Sequence, residues 1–356
     1  MRVLLLNQYG FASGAPTGRI LAELGDGLRQ RGHDVVFLQS DESYGQSRRG
    51  VPRILHELRA HAVLAGRGLL GGRIDAVISL TSPACLAITA GAIARIHRAR
   101  HFHWAMDLYP DVGVRLGEVR EGALTRLLAF LMQRAYRTAH RVVALDEDMR
   151  DHLRAAYRVD STVLEPSPPE VTWPADATTT TRRWLYSGNF GRAHEIDVLL
   201  QVQKRLEQSG VRAELIFQGR GARFASSRDS AAVRKLRNVH WRPPVAQELL
   251  GQSLLDADVL VVTRKAEMKG LLLPSKLMLA ELSGRAILWI GDTDSHTARR
   301  LKKAGHGVFA MDEVESIASW LGEIFGQKSS RPATKPRATR DVREQSIRAW
   351  EALLES

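Results

Sequence analysis

Tyr186-Ser-Gly-Asn-Phe-Gly-Arg-Ala-His-Glu-Ile-Asp197 follows the apolar pair Trp184-Leu185 and precedes Val198, Leu199, Leu200 and Val202, which recur at helical spacing. The stretch reads as a strand, a glycine turn and the start of a helix that carries an arginine. Gly188 and Gly191 let the chain turn with its amides outward, the helix start adds partial positive charge, and Arg192 adds a full charge on a planar donor fork. That is the chemistry of a phosphate cradle. An ordinary strand-to-helix turn with two glycines has the same local pattern, so the reading needs a second site.

The second site is Leu271-Leu-Leu-Pro-Ser-Lys-Leu-Met-Leu-Ala-Glu-Leu-Ser-Gly-Arg-Ala-Ile-Leu-Trp-Ile290. Pro274-Ser275 is a helix start, Gly284 its stop, and residues 286–290 a buried strand. Lys276 then sits in the first helical turn, where a cation opposes the helix dipole and a bound anion would account for it. Strand and helix patterns alternate between the two stretches. Together they resemble the donor-binding half of glycosyltransferase family 4, retaining sugar transferases of the two-domain GT-B fold, and the resemblance extends over nearly the whole chain.

The rest of the sequence agrees with an α/β chain. Short apolar runs at 3–6, 35–38, 76–80, 101–104 and 141–145 are separated by helical patterns at 17–31, 52–70, 84–98 and 123–138. Such alternation predicts a parallel sheet with helices on both faces. The proline-rich, polar crossing that begins at Glu165-Pro-Ser-Pro-Pro169 marks a linker, after which the alternation resumes. The expected organisation is an N-terminal Rossmann-like acceptor-binding domain over 1–168, a Rossmann-like nucleotide-sugar domain over 169–340, and a C-terminal helix over 341–356. The resemblance implies that this helix crosses back to the first domain and that the two doubly wound domains face a cleft.

Composition narrows the function classes. A length of 356 residues with 44% hydrophobic and 25% charged residues suits two folded domains, and one cysteine excludes an intrachain disulfide framework. The strand-like Arg2-Val-Leu-Leu-Leu6 leaves no room for a signal peptide, which predicts a cytoplasmic protein. Residues 76–94 carry no formal charge over about the length of a spanning helix, but Thr81-Ser82-Pro83 breaks them into a strand and a helix. The formal charge of +12 points to an anionic partner, and no zinc-finger, RRM-type or basic-zipper pattern directs it to nucleic acid. Arg48, Arg49, Arg53, Arg59, Arg67 and Arg73 surround an apolar stripe of Ile54, Leu58, Ala62, Ala65 and Leu69. This pattern fits either a helix packed on the sheet with a solvated basic face, the preferred expectation, or one lying on the inner face of an anionic membrane.

Ligands of open α/β sheets bind beyond the carboxyl ends of the strands. The glycines at 10, 14 and 18 do not form G-x-G-x-x-G, which argues against a nicotinamide dehydrogenase. The resemblance assigns Gly14 and Gly18 to the loop approaching the donor diphosphate, and Thr17 reads as a helix cap. In His103-Trp-Ala-Met-Asp107-Leu-Tyr-Pro110, Met106 stands where many relatives have histidine, whereas Asp107, Leu108 and Pro110 match. Asp107 is the expected acceptor base, with His103 and Tyr109 near the acceptor. Gly188, Asn189 and Arg192 match the diphosphate loop, Arg242 falls in the nucleobase loop, and Ser275 and Lys276 complete the donor contacts. Leu271 and Leu279 occupy positions where the family usually has glutamates. Asp256-Ala-Asp258 precedes a strand instead of following one, so it reads as structure, and no metal is expected.

These features lead to one principal expectation: a metal-independent, retaining hexosyl- or N-acetylhexosaminyltransferase without a cofactor. It would move a sugar from a nucleotide-diphosphate donor, UDP-sugar favoured, to a hydroxyl acceptor that is free or lipid-linked. Asp107, Arg192 and Lys276 would carry the chemistry. The alternative is a catalytically silent GT-B protein that binds a nucleotide or phosphate.

Overall fold

The strand β1 (Arg2–Leu6) is apolar from Val3 onward because both its faces are covered. The computed structural model describes residues 1–41, 51–174, 181–191, 196–221, 224, 228–229, 236–326 and 334–356. After β1 come α1 (Pro16–Gln30), β2 (Asp34–Leu38), α2 (Val51–Leu69), β3 (Ala76–Ser79), α3 (Leu86–His97) and β4 (Arg100–Trp104). There follow α4 (Asp111–Arg115), α5 (Ala123–Thr138), β5 (Arg141–Ala144), α6 (Glu147–His152) and β6 (Ser161–Val163). The strands form a parallel sheet in the order β2-β1-β3-β4-β5-β6.

The second half contributes β7 (Arg183–Asn189), α7 (Asp197–Gln208), β8 (Glu214–Arg220), β9 (Val239–Arg242), α8 (Gln247–Leu255) and β10 (Val259–Thr263). It continues with α9 (Lys276–Leu282), β11 (Ala286–Ile290), α10 (His296–Lys303), β12 (Gly307–Phe309), α11 (Val314–Gly326) and α12 (Thr339–Glu355). Its sheet is also parallel, ordered β12-β11-β10-β7-β8-β9. Strand order therefore reverses between β7 and β10, which is where an open sheet of this kind leaves a crevice at its carboxyl edge. The core here is aromatic, with Phe217 stacked on Trp241 at a ring separation of 4.3 Å.

The chain forms two compact units, one of Met1–Ser167, Gly270–Leu273 and Asp341–Ser356, the other of Pro168–Lys269 and Pro274–Arg340. The short piece Gly270–Leu273 was expected in the second domain and instead belongs to the first. Leu271 is buried in the first core, its carbonyl accepts from the Leu108 amide at 3.0 Å, and Leu272 bridges Asp107 in antiparallel fashion. Trp350 and Leu354 of α12 are also buried in that core, Trp350 lying 5.0 Å from the Trp104 ring. Arg31 adds ion pairs to Glu344 at 2.5 Å and Glu351 at 3.1 Å.

Two local expectations are corrected. Thr17 does not cap α1: the cap position is Ala15, Pro16 starts the helix, and Thr17 lies inside the first turn. There its hydroxyl accepts from Asn7 Nδ2 at 3.2 Å. The apolar stripe of α2 does not pack on the sheet either, since Ile54, Leu58 and Leu69 are exposed while Ala60 and Leu64 are buried. Residues 76–94 divide between β3 and α3, and no described helix is long and apolar enough to cross a membrane.

Candidate functional site

In the second unit, the end of β7 and the start of α9 meet at the switch between β7 and β10. Gly188 lies at the end of β7 with φ +141°, and a side chain there would come within 3.2 Å of Lys276 Cε. Lys276 Nζ donates to the Tyr186 hydroxyl at 2.8 Å and lies 4.0 Å from the centre of that ring. The hydroxyl in turn donates to the Asn189 carbonyl at 3.1 Å. Burial pulls the Lys276 ammonium down to about 7, because no carboxylate among the described residues offsets its desolvation. An anion arriving here would restore the charged form.

The neighbouring strand completes a bare backbone edge. Gly219 pairs with Gly188 at φ +149°, and a Cβ on it would fall 1.9 Å from the Gly188 carbonyl. Gly221, at φ +143°, would place a Cβ 2.6 Å from Asn189 Oδ1 and 2.8 Å from the Phe190 amide. Sequence reading missed Gly219 and Gly221. The signal was the Gln218-Gly-Arg-Gly221 run directly after an apolar strand. Asn189 and Ser275 are exposed beside this edge, and Arg242 is exposed at the end of β9, two strands from β7. Arg192 lies outside the described residues.

Arg264, Glu281 and Asp258 of this unit have structural partners. Arg264 is fully buried, with its Nε and Nη2 each donating to Asp292 at 2.9 Å and its guanidinium 4.9 Å from the Trp289 ring. Glu281 pairs with Arg300. Leu279 is buried. Asp258 Oδ2 accepts from the Arg183 amide and the Thr181 hydroxyl, each at 3.2 Å, at the amino end of β10 and so away from the carboxyl edge.

In the first unit the residues of interest also lie at the carboxyl edge. Asp107 follows β4, its amide donating to Thr81 Oγ1 at 3.3 Å while its backbone bridges Leu272. It is partly buried, and burial raises its carboxyl to about 6. Among the described residues no side chain hydrogen-bonds to that carboxyl. Tyr109 is also partly buried, its hydroxyl pushed up to about 12 by burial and by the nearby Asp107 charge. Gly14 adopts φ +74° with open space around its Cα. Gly18 has a packing reason to be glycine: a Cβ would lie 2.3 Å from the Gly10 carbonyl.

His103 was expected at the acceptor and lies instead wholly inside the core. Its Nδ1 shares the Ser79 hydroxyl, at 2.9 Å, with His101 Nε2, also at 2.9 Å, and its ring lies 5.4 Å from Tyr136. Burial, reinforced by the adjacent His101, holds it well below the usual histidine range and so neutral. The alternation of side chains along β4 points it inward.

Residues 17–170 match the family described as the glycosyl transferase 4-like domain. The family likeness thus lies in the N-terminal part of the chain, and over its whole length the chain shares the GT-B fold. It is 25% identical over 283 residues to the probable glycosyltransferase WbjE of Pseudomonas aeruginosa, covering 73% of this chain and 67% of that protein. Sucrose-phosphate synthase of Thermosynechococcus elongatus superposes with a TM-score of 0.66 at 13% identity, covering 99% of this chain and 96% of the other. Anabaena Alr3699/HepE in complex with UDP-glucose gives a TM-score of 0.64 at 13% identity, covering 99% and 100%. At these identities the structures show the GT-B fold.

Proposed function

We propose that the protein is a retaining glycosyltransferase that takes a hexosyl or N-acetylhexosaminyl group from a UDP-sugar to a hydroxyl acceptor, free or lipid-linked, without a metal. The observation that carries this reading is the convergence of Lys276 with the glycine edge Gly188, Gly219 and Gly221 at the β7–β10 switch. A backbone bare of side chains admits a diphosphate closely, and a desolvated lysine pairs strongly with it. Asn189, Ser275 and Arg242 are assigned to the donor, as is Arg192 from its sequence. Gly14 keeps its assignment to the donor-side loop, and Tyr109 is assigned to the acceptor. The complex of Anabaena HepE with UDP-glucose supports a uridine donor. As the glycosyl–phosphate bond breaks, Lys276 stabilises the charge developing on the diphosphate, and Asp107 accepts the acceptor's hydroxyl proton.

The test is a nucleotide-sugar panel read by melting temperature and calorimetry, since a ligand at a hundred times its Kd adds about 2.7 kcal/mol. UDP-sugars are expected to stabilise the protein. Lys276→Ala should weaken that binding by about 1.5–3 kcal/mol, the usual loss for a charged hydrogen bond. A folded variant with unchanged affinity would remove Lys276 from the donor site.

The pH dependence has a definite sign. Asp107 must be ionised to act as base, so kcat/KM should fall on the acid side through about 6. Lys276 must be protonated to attract the diphosphate, so kcat/KM should also fall on the alkaline side through about 7. The expected profile is a narrow bell reporting the free enzyme. A profile that stays flat from well below 6 to well above 7 would sink both assignments.

A second reading, a silent nucleotide-binding protein, is favoured by the burial of Leu271 and Leu279 where relatives carry glutamates. Turnover of any UDP-sugar, slow hydrolysis included, decides between the two.

A further inference from the structure

The outer surface of the first unit carries an apolar face that the fold leaves uncovered. Along α2, Leu55 is 61% exposed and Leu58 59%, with Ile54 and Leu69 also exposed. This is not a helix awaiting a better fit to its neighbour, because the inner side of α2 is already complete. Ala60 and Leu64 are buried, and a Cβ on Gly68 would lie 2.7 Å from Ile93 Cδ1, so α2 and α3 approach closely. Polar groups fix the approach: His61 bonds Thr89 Oγ1 at 2.8 Å and the Ala84 carbonyl at 2.9 Å, and Glu57 accepts from the Ala84 amide at 2.8 Å. The inner face is thus filled by Ala60, Leu64 and Gly68 and anchored by His61 and Glu57, while Ile54, Leu55, Leu58 and Leu69 point outward.

The same inversion occurs on α5, which packs against the other side of α3. Leu124 is 66% exposed and Leu127 52%, with Phe130 and Leu131 exposed beside them. Between the two helices α3 exposes Ile96. Arg53, near the start of α2, pairs at 2.6 Å with Glu118 in the segment before α5, which ties the two helices' amino ends together. Arginines are interspersed throughout: Arg67 on α2, and Arg126, Arg134 and Arg137 on α5, all exposed. The Arg134 guanidinium lies 5.9 Å from the Phe130 ring centre.

We infer that α2, α3 and α5 form a docking surface for an anionic lipid bilayer. Apolar side chains enter the acyl boundary while arginines on the same faces reach acidic headgroups, the arrangement by which interfacial helices bind. A second copy of this chain fits the face poorly, because arginine would oppose arginine in a protein whose net charge is already +12. Of the nearby carboxylates, Glu57 and Glu118 are engaged inside the unit, which leaves Glu121, just before α5, as an exposed acid among several exposed arginines. This inference does not depend on the donor site and stands or falls separately.

The experiment uses the full chain, sedimented with vesicles of phosphatidylcholine alone or mixed with phosphatidylglycerol, at low and high salt. Leu58→Glu and Leu127→Glu are compared with wild type, with Leu58→Ala and Leu127→Ala as milder variants should either glutamate lower the melting temperature. Wild type is expected to partition onto the anionic vesicles and to release partly as salt shortens the Debye length below about 8 Å. Each glutamate variant is expected to bind at least about tenfold more weakly, and each alanine variant measurably more weakly. Failure of wild type to partition at low salt would overturn the inference. Equal partitioning of the variants would overturn it too, since arginine attraction alone would then suffice. A wild-type dimer in solution that these substitutions convert to monomer would assign the face to a second copy.

Discussion

An Asp107→Asn variant is expected to lose transfer activity by roughly 10²- to 10⁴-fold, the usual span for removing a general base, with donor affinity nearly unchanged. The substitution keeps shape and removes only charge. The backbone of Asp107 is held independently, by Thr81 Oγ1 at 3.3 Å and by the bridge to Leu272, so asparagine should leave the loop in place. Its carboxyl, raised to about 6 by burial, is a better match to a proton acceptor near neutrality than an exposed aspartate. The decisive accompaniment is the pH profile: the acid limb should vanish with the carboxylate. A folded variant with near-normal transfer would leave Asp107 as a turn residue, and one that fails to fold would make it a structural cap.

Asp292→Ala is expected to destabilise the protein by about 3–5 kcal/mol, the cost of leaving one partner of a buried ion pair behind. Arg264 has no exposed surface, and Asp292 receives two of its guanidinium N–H groups at 2.9 Å. That loss is a large share of a typical net stability of about 5–15 kcal/mol. Urea unfolding of wild type, Asp292→Ala and the double variant Arg264→Met/Asp292→Leu checks it. The double variant should recover much of the loss. A single-variant cost below about 1 kcal/mol would show that the pair is not what satisfies Arg264.

Much of the architecture was legible because strand and helix periods differ sharply in buried α/β layers. Runs such as 259–262 and Ala286–Ile290 are continuously apolar, as strands covered on both faces must be. The donor edge was half legible. Gly188 stood out beside Arg192, whereas Gly219 and Gly221 gain their meaning only from the register that sets Gly219 opposite Gly188. Periodicity misled on α2 because it reports that one face is apolar, not which way that face turns. The small inner residues Ala60 and Gly68 decide the orientation, and they carry little weight in such a pattern. His103 was misassigned for a related reason: adjacency to Asp107 in sequence does not survive the alternation of β4, which sends the histidine to Ser79.

The composition of the first unit bears on how the chain is made. Its core is missing Leu271, Trp350 and Leu354 until those residues have been synthesised, although its sheet is encoded entirely within Met1–Ser167. At about 5–20 residues per second, the nascent sheet waits many seconds with Phe102 and Trp104 lacking the indole that packs on them. A ribosome-bound chain stalled before α12 should therefore carry an incomplete first unit, whatever the state of the sheet that follows it. An expression fragment cut at Ser167 would inherit the same defect permanently.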